Sequence, residues 1–177
     1  MNNRYLSNDD IYLRAPEPED LDVMYEMEND PESWDVSSFT VPYSRYVLKQ
    51  YIQASQSDIF ADKQLRLMIV QRMNNKVVGT IDLTDFVPIH GRAGVGIAVK
   101  SEFRRQGFAR LALELLTDYS FNFLHLKQMY AYVSVRNKAS QKLFSSCGFI
   151  QAGVLKEWLR GKDGYEDAFV MQLINLV

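Results

Sequence analysis

A single cysteine, Cys147, serves this chain of 177 residues, so no internal disulfide can form and no cysteine-based metal-ligand spacing exists. Histidine is nearly as scarce: His90 and His125 stand alone, which argues against a histidine-built metal centre. No apolar run approaches the roughly eighteen residues that a membrane-crossing helix needs, and Met1 to Arg4 lead into no signal-like segment. Low-complexity tracts, internal repeats and linkers are also absent. One domain spanning residues 1–177 in a soluble, cytoplasmic setting is the expectation, with no membrane and no metal involved. Basic residues are missing from one long stretch. Between Asp9 and Asp35 eleven acids face Arg14 alone, although the formal net charge of the whole chain is only −2. Phosphate backbones need clustered Lys and Arg, so nucleic acid is disfavoured as a partner of that half. The stretch is either a solvated helix face or a field that gathers a cationic substrate.

What the chain does have is apolar residues, 47% of the total, enough for a sizeable core at this length. Period-two alternation predicts strands over 11–14, 65–71, 77–85, 92–100 and 129–135, the second and third joined through Asn74-Asn75, a pair that tolerates hairpin turns. Two closing strands follow Phe149, with a turn near 161–164. Helices are predicted over 15–27, entered through Pro16, over 44–56 and over 138–146. A longer helix places Phe108, Leu111, Ala112, Leu115, Leu116, Tyr119 and Phe123 at three- and four-residue spacing, a core stripe. Early strands, a βαβα unit in the middle and late strands predict an α+β domain with a mixed, largely antiparallel sheet.

The most informative stretch is Arg104-Arg105-Gln106-Gly107-Phe108-Ala109, between the 92–100 strand and the long helix. It is a bend whose amides can converge on a phosphate at a helix N-terminus, where unpaired N–H groups and the summed peptide dipoles favour an anion. Gly107 permits close approach, Ala109 keeps the first turn uncluttered, and the arginines add charge at the mouth. A basic turn that only caps a helix would look similar. Downstream come the strand Tyr130-Ala131-Tyr132-Val133, then Asn137-Lys138-Ala139-Ser140, then Cys147-Gly148-Phe149.

Strand, phosphate turn, helix, strand, Asn-x-x-Ser helix and Gly-Phe in this order resemble the GCN5-related N-acetyltransferase (GNAT) superfamily, closest to its ribosomal-protein-acetylating and spermidine-acetylating branches. Leu13-Arg14-Ala15-Pro16 looks like that branch's opening, and Gly161 to Asp167 like its final hairpin. The resemblance implies a single GNAT-like domain whose fourth and fifth strands splay apart. It implies acetyl-CoA as cosubstrate, its pyrophosphate on the turn formed by Arg104, Arg105, Gln106, Gly107, Phe108 and Ala109. The pantetheine arm would lie along Ile97, Ala98 and Val99, and Asn137 would bind it while also capping the helix from Lys138. An amide of that strand would hold the thioester carbonyl and stabilise the developing oxyanion.

Two positions depart from the family's pattern. Many relatives place a tyrosine seven residues after the Asn to protonate the departing thiolate; here it is Phe144, and Ser140 becomes the candidate donor. Relatives often carry a glutamate in the context Ala-Glu-x-Gly, but Ala93 is followed here by Gly94, which leaves Glu157 as the first candidate base and Glu28, Glu32 and Asp35 as weaker ones. Glu28, Glu32, Trp34 and Asp35 are candidates for binding the acceptor, on an aromatic loop suited to a cationic amine, although packing of those aromatics explains them equally well. The reading is an N-acetyltransferase acting on a primary amine, either a small polyamine or a protein N-terminus, with a homo-oligomer among the partners the resemblance allows. The alternative is a non-catalytic acyl-CoA-binding module, which loss of the glutamate and the tyrosine would suit.

Overall fold

A computed structural model describes residues 5–30, 42–54, 58–161 and 163–176. Seven strands form one sheet in the order β1-β2-β3-β4-β5-β7-β6: β1 (Ile11–Arg14), β2 (Leu65–Gln71), β3 (Lys76–Val87), β4 (Arg92–Val99), β5 (Gln128–Ser134), β6 (Ile150–Gly161) and β7 (Gly164–Ile174). All pairings are antiparallel except β4 with β5. The helices are α1 (Leu21–Glu28), α2 (Arg45–Ala54), α3 (Ile59–Asp62), α4 (Phe108–Asn122) and α5 (Lys138–Ser146). The expected α+β architecture with its mixed sheet is the one observed. No helix among the described residues is long and apolar enough to cross a membrane.

The two faces of the sheet are covered unequally. On one, Ile81, Leu83, Ala93, Val95, Met129, Ala131 and Val133 pack under α4, whose Ala112, Leu113 and Leu116 are fully buried. On the other, α1 and α2 lay Met24, Leu48 and Ile52 over Met68 and Val70 of β2 and stop there. Among the described residues no helix covers the remainder of that second face, over β4 to β6, and Tyr132 and Trp158 are exposed on it.

Three expectations need correction. Helix 15–27 is instead a 3-10 turn, Pro18–Asp20, followed by α1, because Asp20 is buried in a bidentate pair with Arg14 at 2.6 and 2.9 Å and fixes the entry. The α4 stripe is rotated: Leu113 and Ser120 are buried, whereas Leu111, Leu115 and Tyr119 only flank the core and Phe123 is exposed beyond the last turn, stacked on Tyr119. The four-residue α3 carries too little periodicity to be foreseen; Asp58 caps it by accepting from the Phe60 amide.

Candidate functional site

β4 and β5 run side by side for three residue pairs only, Arg92 with Gln128, Ala93 with Met129 and Gly94 with Tyr130. Beyond Gly94 β4 stays paired with β3 and β5 with β7, so the sheet forks. Backbone polar groups on that side of β4, from Val95 to Val99, therefore find no ladder partner on β5. One is already used: the Val99 carbonyl accepts from Arg104 Nε at 3.1 Å.

The turn after β4 delivers α4 to the mouth of this fork. Arg105 and Gly107 both adopt left-handed φ, 63° and 88°, and at Gly107 a Cβ would meet no atom within 4 Å, so the turn is open above the helix. Gly107 is the N-cap and no side chain caps the helix, which leaves the first amides of α4 directed outward. Phe108 turns its ring into the core against Phe103, 6.1 Å away, so its amide and not its side chain faces the turn. This is a cradle that fits an anion of pyrophosphate type.

Between the fork and α5 lies a cavity of 540 Å³, lined by Ile97, Ala98, Val99, Arg104, Asn137 and Ser140, with Glu26 and Asp30 on the α1 side. Asn137 Oδ1 accepts from the Ser140 amide at 3.0 Å and so caps α5, which leaves its side-chain NH2 for another acceptor. Lys100 at the rim bridges Glu102 at 3.0 Å and Glu26 at 3.7 Å. A fork, a polar cavity lined by β4 and α5, and an open helix N-terminus three residues beyond the cavity's Arg104 are arranged for a long ligand ending in a phosphate.

The sequence profile of the acetyltransferase (GNAT) domain matches residues 10–150, well over half of the chain. The chain belongs to the GNAT acetyltransferase family. Spermidine N(1)-acetyltransferase of Vibrio cholerae is 27% identical over 95% of both chains. The crystal structure of spermidine N-acetyltransferase from that organism in complex with CoA and spermine superposes with a TM-score of 0.83, covering 94% of this chain and 96% of that one at 27% identity. The Escherichia coli K12 enzyme that acetylates the alanine of ribosomal protein bS18 is 34% identical, over 44% of this chain and 51% of its own length.

Within this GNAT domain Ile97, Ala98, Val99, Arg104, Asn137 and Ser140 line one cavity, whereas Arg105 to Ala109 lead on from Arg104 into α4 without lining it, and Gln106 and Phe108 border a separate cavity with Asp9, Asp10 and Arg72. Glu157 does not line that cavity. It sits at a β6 bulge with φ 48°, exposed, its amide donating to Asp167 Oδ1 at 2.9 Å. Glu28 is 7% exposed, paired with Arg66, and lines not the fork cavity but a smaller one between α2 and β2–β3. Glu32, Trp34 and Asp35 lie outside the described residues. Phe144 is core, packed edge-on against Phe149 at 5.0 Å, and burial holds the Cys147 thiol above its ordinary range, away from nucleophilic use.

The structure also explains Gly94. A Cβ there would lie 2.7 Å from Thr84 Oγ1 and 3.4 Å from the Tyr130 ring, so these side chains occupy the space a glutamate would need. Tyr130 continues into Tyr132 at 5.4 Å and Trp158 at 5.7 Å, an aromatic wall along the open face. On the other side of the fork Asp82 and Arg66 form a bidentate pair at 2.8 and 3.2 Å. Sequence reasoning missed all of these. The signal was present in β3, where Thr80, Asp82 and Thr84 alternate with Ile81 and Leu83 and put a polar row on one face.

Proposed function

We propose that this chain transfers the acetyl group of acetyl-CoA to a primary amine of a small polyamine. One observation carries the reading: beyond Gly94, where β4 and β5 part, a 540 Å³ cavity is lined by Ile97 to Val99 of β4, by Arg104 at the start of the turn into the uncapped α4, and by Asn137 and Ser140. The amides from Arg105 to Ala109 receive the pyrophosphate, with Arg104 and Arg105 adding charge at the exposed mouth. The β4 edge near Ile97 and Ala98 aligns the arm and supplies the amide that stabilises negative charge on the acyl oxygen. Ser140, half-buried in the same cavity, donates a hydrogen bond to the departing sulfur. Acetyl-CoA supplies an activated acyl carbon: the amine nitrogen forms the C–N bond, the C–S bond breaks and a proton leaves the nitrogen. A polyamine is favoured over a protein N-terminus because the similarity to spermidine acetyltransferase spans 95% of this chain, whereas that to the ribosomal-protein enzyme spans 44% of it.

Thiol release from acetyl-CoA by the purified chain tests this, across spermidine, spermine, short diamines and peptides with free N-termini. Release with the polyamines supports the reading, and release with peptides alone replaces polyamine by protein N-terminus. A non-catalytic acyl-CoA-binding module has one observation in its favour, the crowding of Gly94 by Thr84 and Tyr130. Tight CoA binding without thiol release from any amine would establish that module.

A further inference from the structure

A second cavity, of 290 Å³, lies between α2 and the β2–β3 part of the sheet, bounded by Glu28, Tyr43, Tyr51, Arg66, Asp82 and Thr84. We infer that it is the acceptor pocket, that its ligand is the aminoalkyl tail of a polyamine, and that Asp82 binds a charged nitrogen of that tail. The inference rests on the transferase reading above and adds the place and chemistry of acceptor recognition.

Position comes first. Asp82 is opposite Gly96 in the β3–β4 ladder, two residues past Gly94, the last β4 residue paired with β5. A Cβ on Gly96 would stand 3.7 Å from Asp82 Oδ2, an ordinary contact, and Gly96 does not have a left-handed φ. Neither sterics nor backbone conformation requires glycine there. What its missing side chain does is leave the carboxylate reachable from the β4 edge, where Ile97 and Ala98 line the larger cavity.

Charge and hydrogen bonding follow. Arg66 Nε and a terminal nitrogen bond both oxygens of Asp82, and the other terminal nitrogen bonds Glu28. All three guanidinium nitrogens are thereby committed, and Tyr51 lies over the guanidinium at 5.8 Å. Arg66 takes two of the roughly four lone-pair positions of the Asp82 carboxylate, so acceptor capacity remains. Two carboxylates share one guanidinium, so the group keeps a formal negative charge to offer a cation. Burial raises the Tyr51 phenol above its ordinary range, so this wall stays uncharged. The mouth is fixed as well: Asn29 at the end of α1 donates to the Tyr43 carbonyl at 3.0 Å and accepts from its amide at 2.9 Å.

The chemistry then selects the ligand class. An amine that attacks an acyl carbon must be neutral, whereas a nitrogen held by a carboxylate remains an ammonium. One nitrogen serves both needs poorly, and an acceptor with two nitrogens divides them. At 290 Å³ the pocket is at the lower limit of small-molecule sites, roughly 300–1,000 Å³, which suits an aminoalkyl chain better than a peptide.

The test compares kcat/KM for spermidine with that for propylamine, which keeps the primary amine and lacks the second nitrogen. Two variants are used: Asp82→Asn, which removes the charge, and Gly96→Val, which leaves Asp82 and Arg66 in place but covers the carboxylate. Loss of a charge-assisted contact predicts that the spermidine-to-propylamine ratio falls roughly tenfold or more in each, chiefly through KM for spermidine. An equal loss on both substrates marks a structural role and overturns the assignment, as does an unchanged ratio. If the unaltered chain releases thiol with propylamine but never prefers spermidine, Asp82 is rejected and the transferase reading stands. If it acetylates no amine, both fall together.

Discussion

At Gly94 the neighbouring side chains and not the backbone set the requirement, since a Cβ would meet Thr84 Oγ1 at 2.7 Å. Gly94→Ala is expected to lower unfolding free energy by about 1–3 kcal/mol, the range for overpacking a filled site. Thr84→Ala removes the offending oxygen, so the double variant should recover most of that loss in urea unfolding. Strict additivity of the two changes would refute the contact. By the same reasoning Gly94→Glu adds no base and reduces activity. For Ser140→Ala the expectation is a fall in kcat of roughly tenfold with KM for acetyl-CoA little changed, because the hydroxyl meets the sulfur only as it departs. A pre-steady-state acetylation trace separates this effect from slow release. That Gly94 and Phe144 depart from the family's pattern is readable in the sequence. Why they do is not, because the Thr84 contact exists only through the β3–β4 register and the Phe149 contact only through the fold of α5 against the sheet.

Among the elements, those carrying their own punctuation were legible. Helix α5 begins and ends as expected because Asn137 announces its N-terminus and Gly148, at φ 87°, its exit. Strand β4 is legible to within one residue, and the turn that follows it is legible in the stretch from Arg104 to Ala109. The fork is expected from the family resemblance and not from any single residue; it follows from β4 continuing to pair with β3 while β5 pairs with β7. The buried positions Leu113 and Ser120 fall outside the expected α4 stripe because the helix packs against β1, β3 and β4 together, whose positions no helical period contains. Two helix starts yield a prediction. Asn137→Ala removes the hydrogen bond to the Ser140 amide and should cost about 1 kcal/mol of stability. It should also raise KM for acetyl-CoA, since the same side chain lines the cavity. Gly107→Ala imposes a left-handed alanine at a cost of about 1 kcal/mol. Because its Cβ would meet open space, any rise in CoA dissociation constant reports a displaced cradle and not a collapsed core. Isothermal titration with CoA, alongside thermal unfolding, distinguishes the two.

For the whole molecule, the buried charges between α1 and the sheet couple stability to pH. Glu28 is raised above its ordinary value of 4.5, first by burial and then, weakly, by Asp82, against the opposing pull of Arg66. Arg66 is itself held charged: burial works against its proton, and Asp82 and Glu28 more than restore it. A carboxyl with a raised folded-state value binds more protons folded than unfolded between the two values. Stability from this group is therefore greatest below 4.5 and declines as pH rises through the folded value, after which the cost stays constant. Glu28→Gln keeps an acceptor for Arg66 but cannot titrate. The stability of the unaltered chain minus that of Glu28→Gln should accordingly fall with rising pH from the acidic side toward neutrality, in urea unfolding series at several pH values. A difference that grows with pH would mean that Arg66 outweighs burial at Glu28, and the charge cluster beside Asp82 would then carry a fully ionised Glu28 at every working pH. The sign of that slope thus fixes how much negative charge the cluster presents, and with it how strongly the neighbouring pocket should favour a cation.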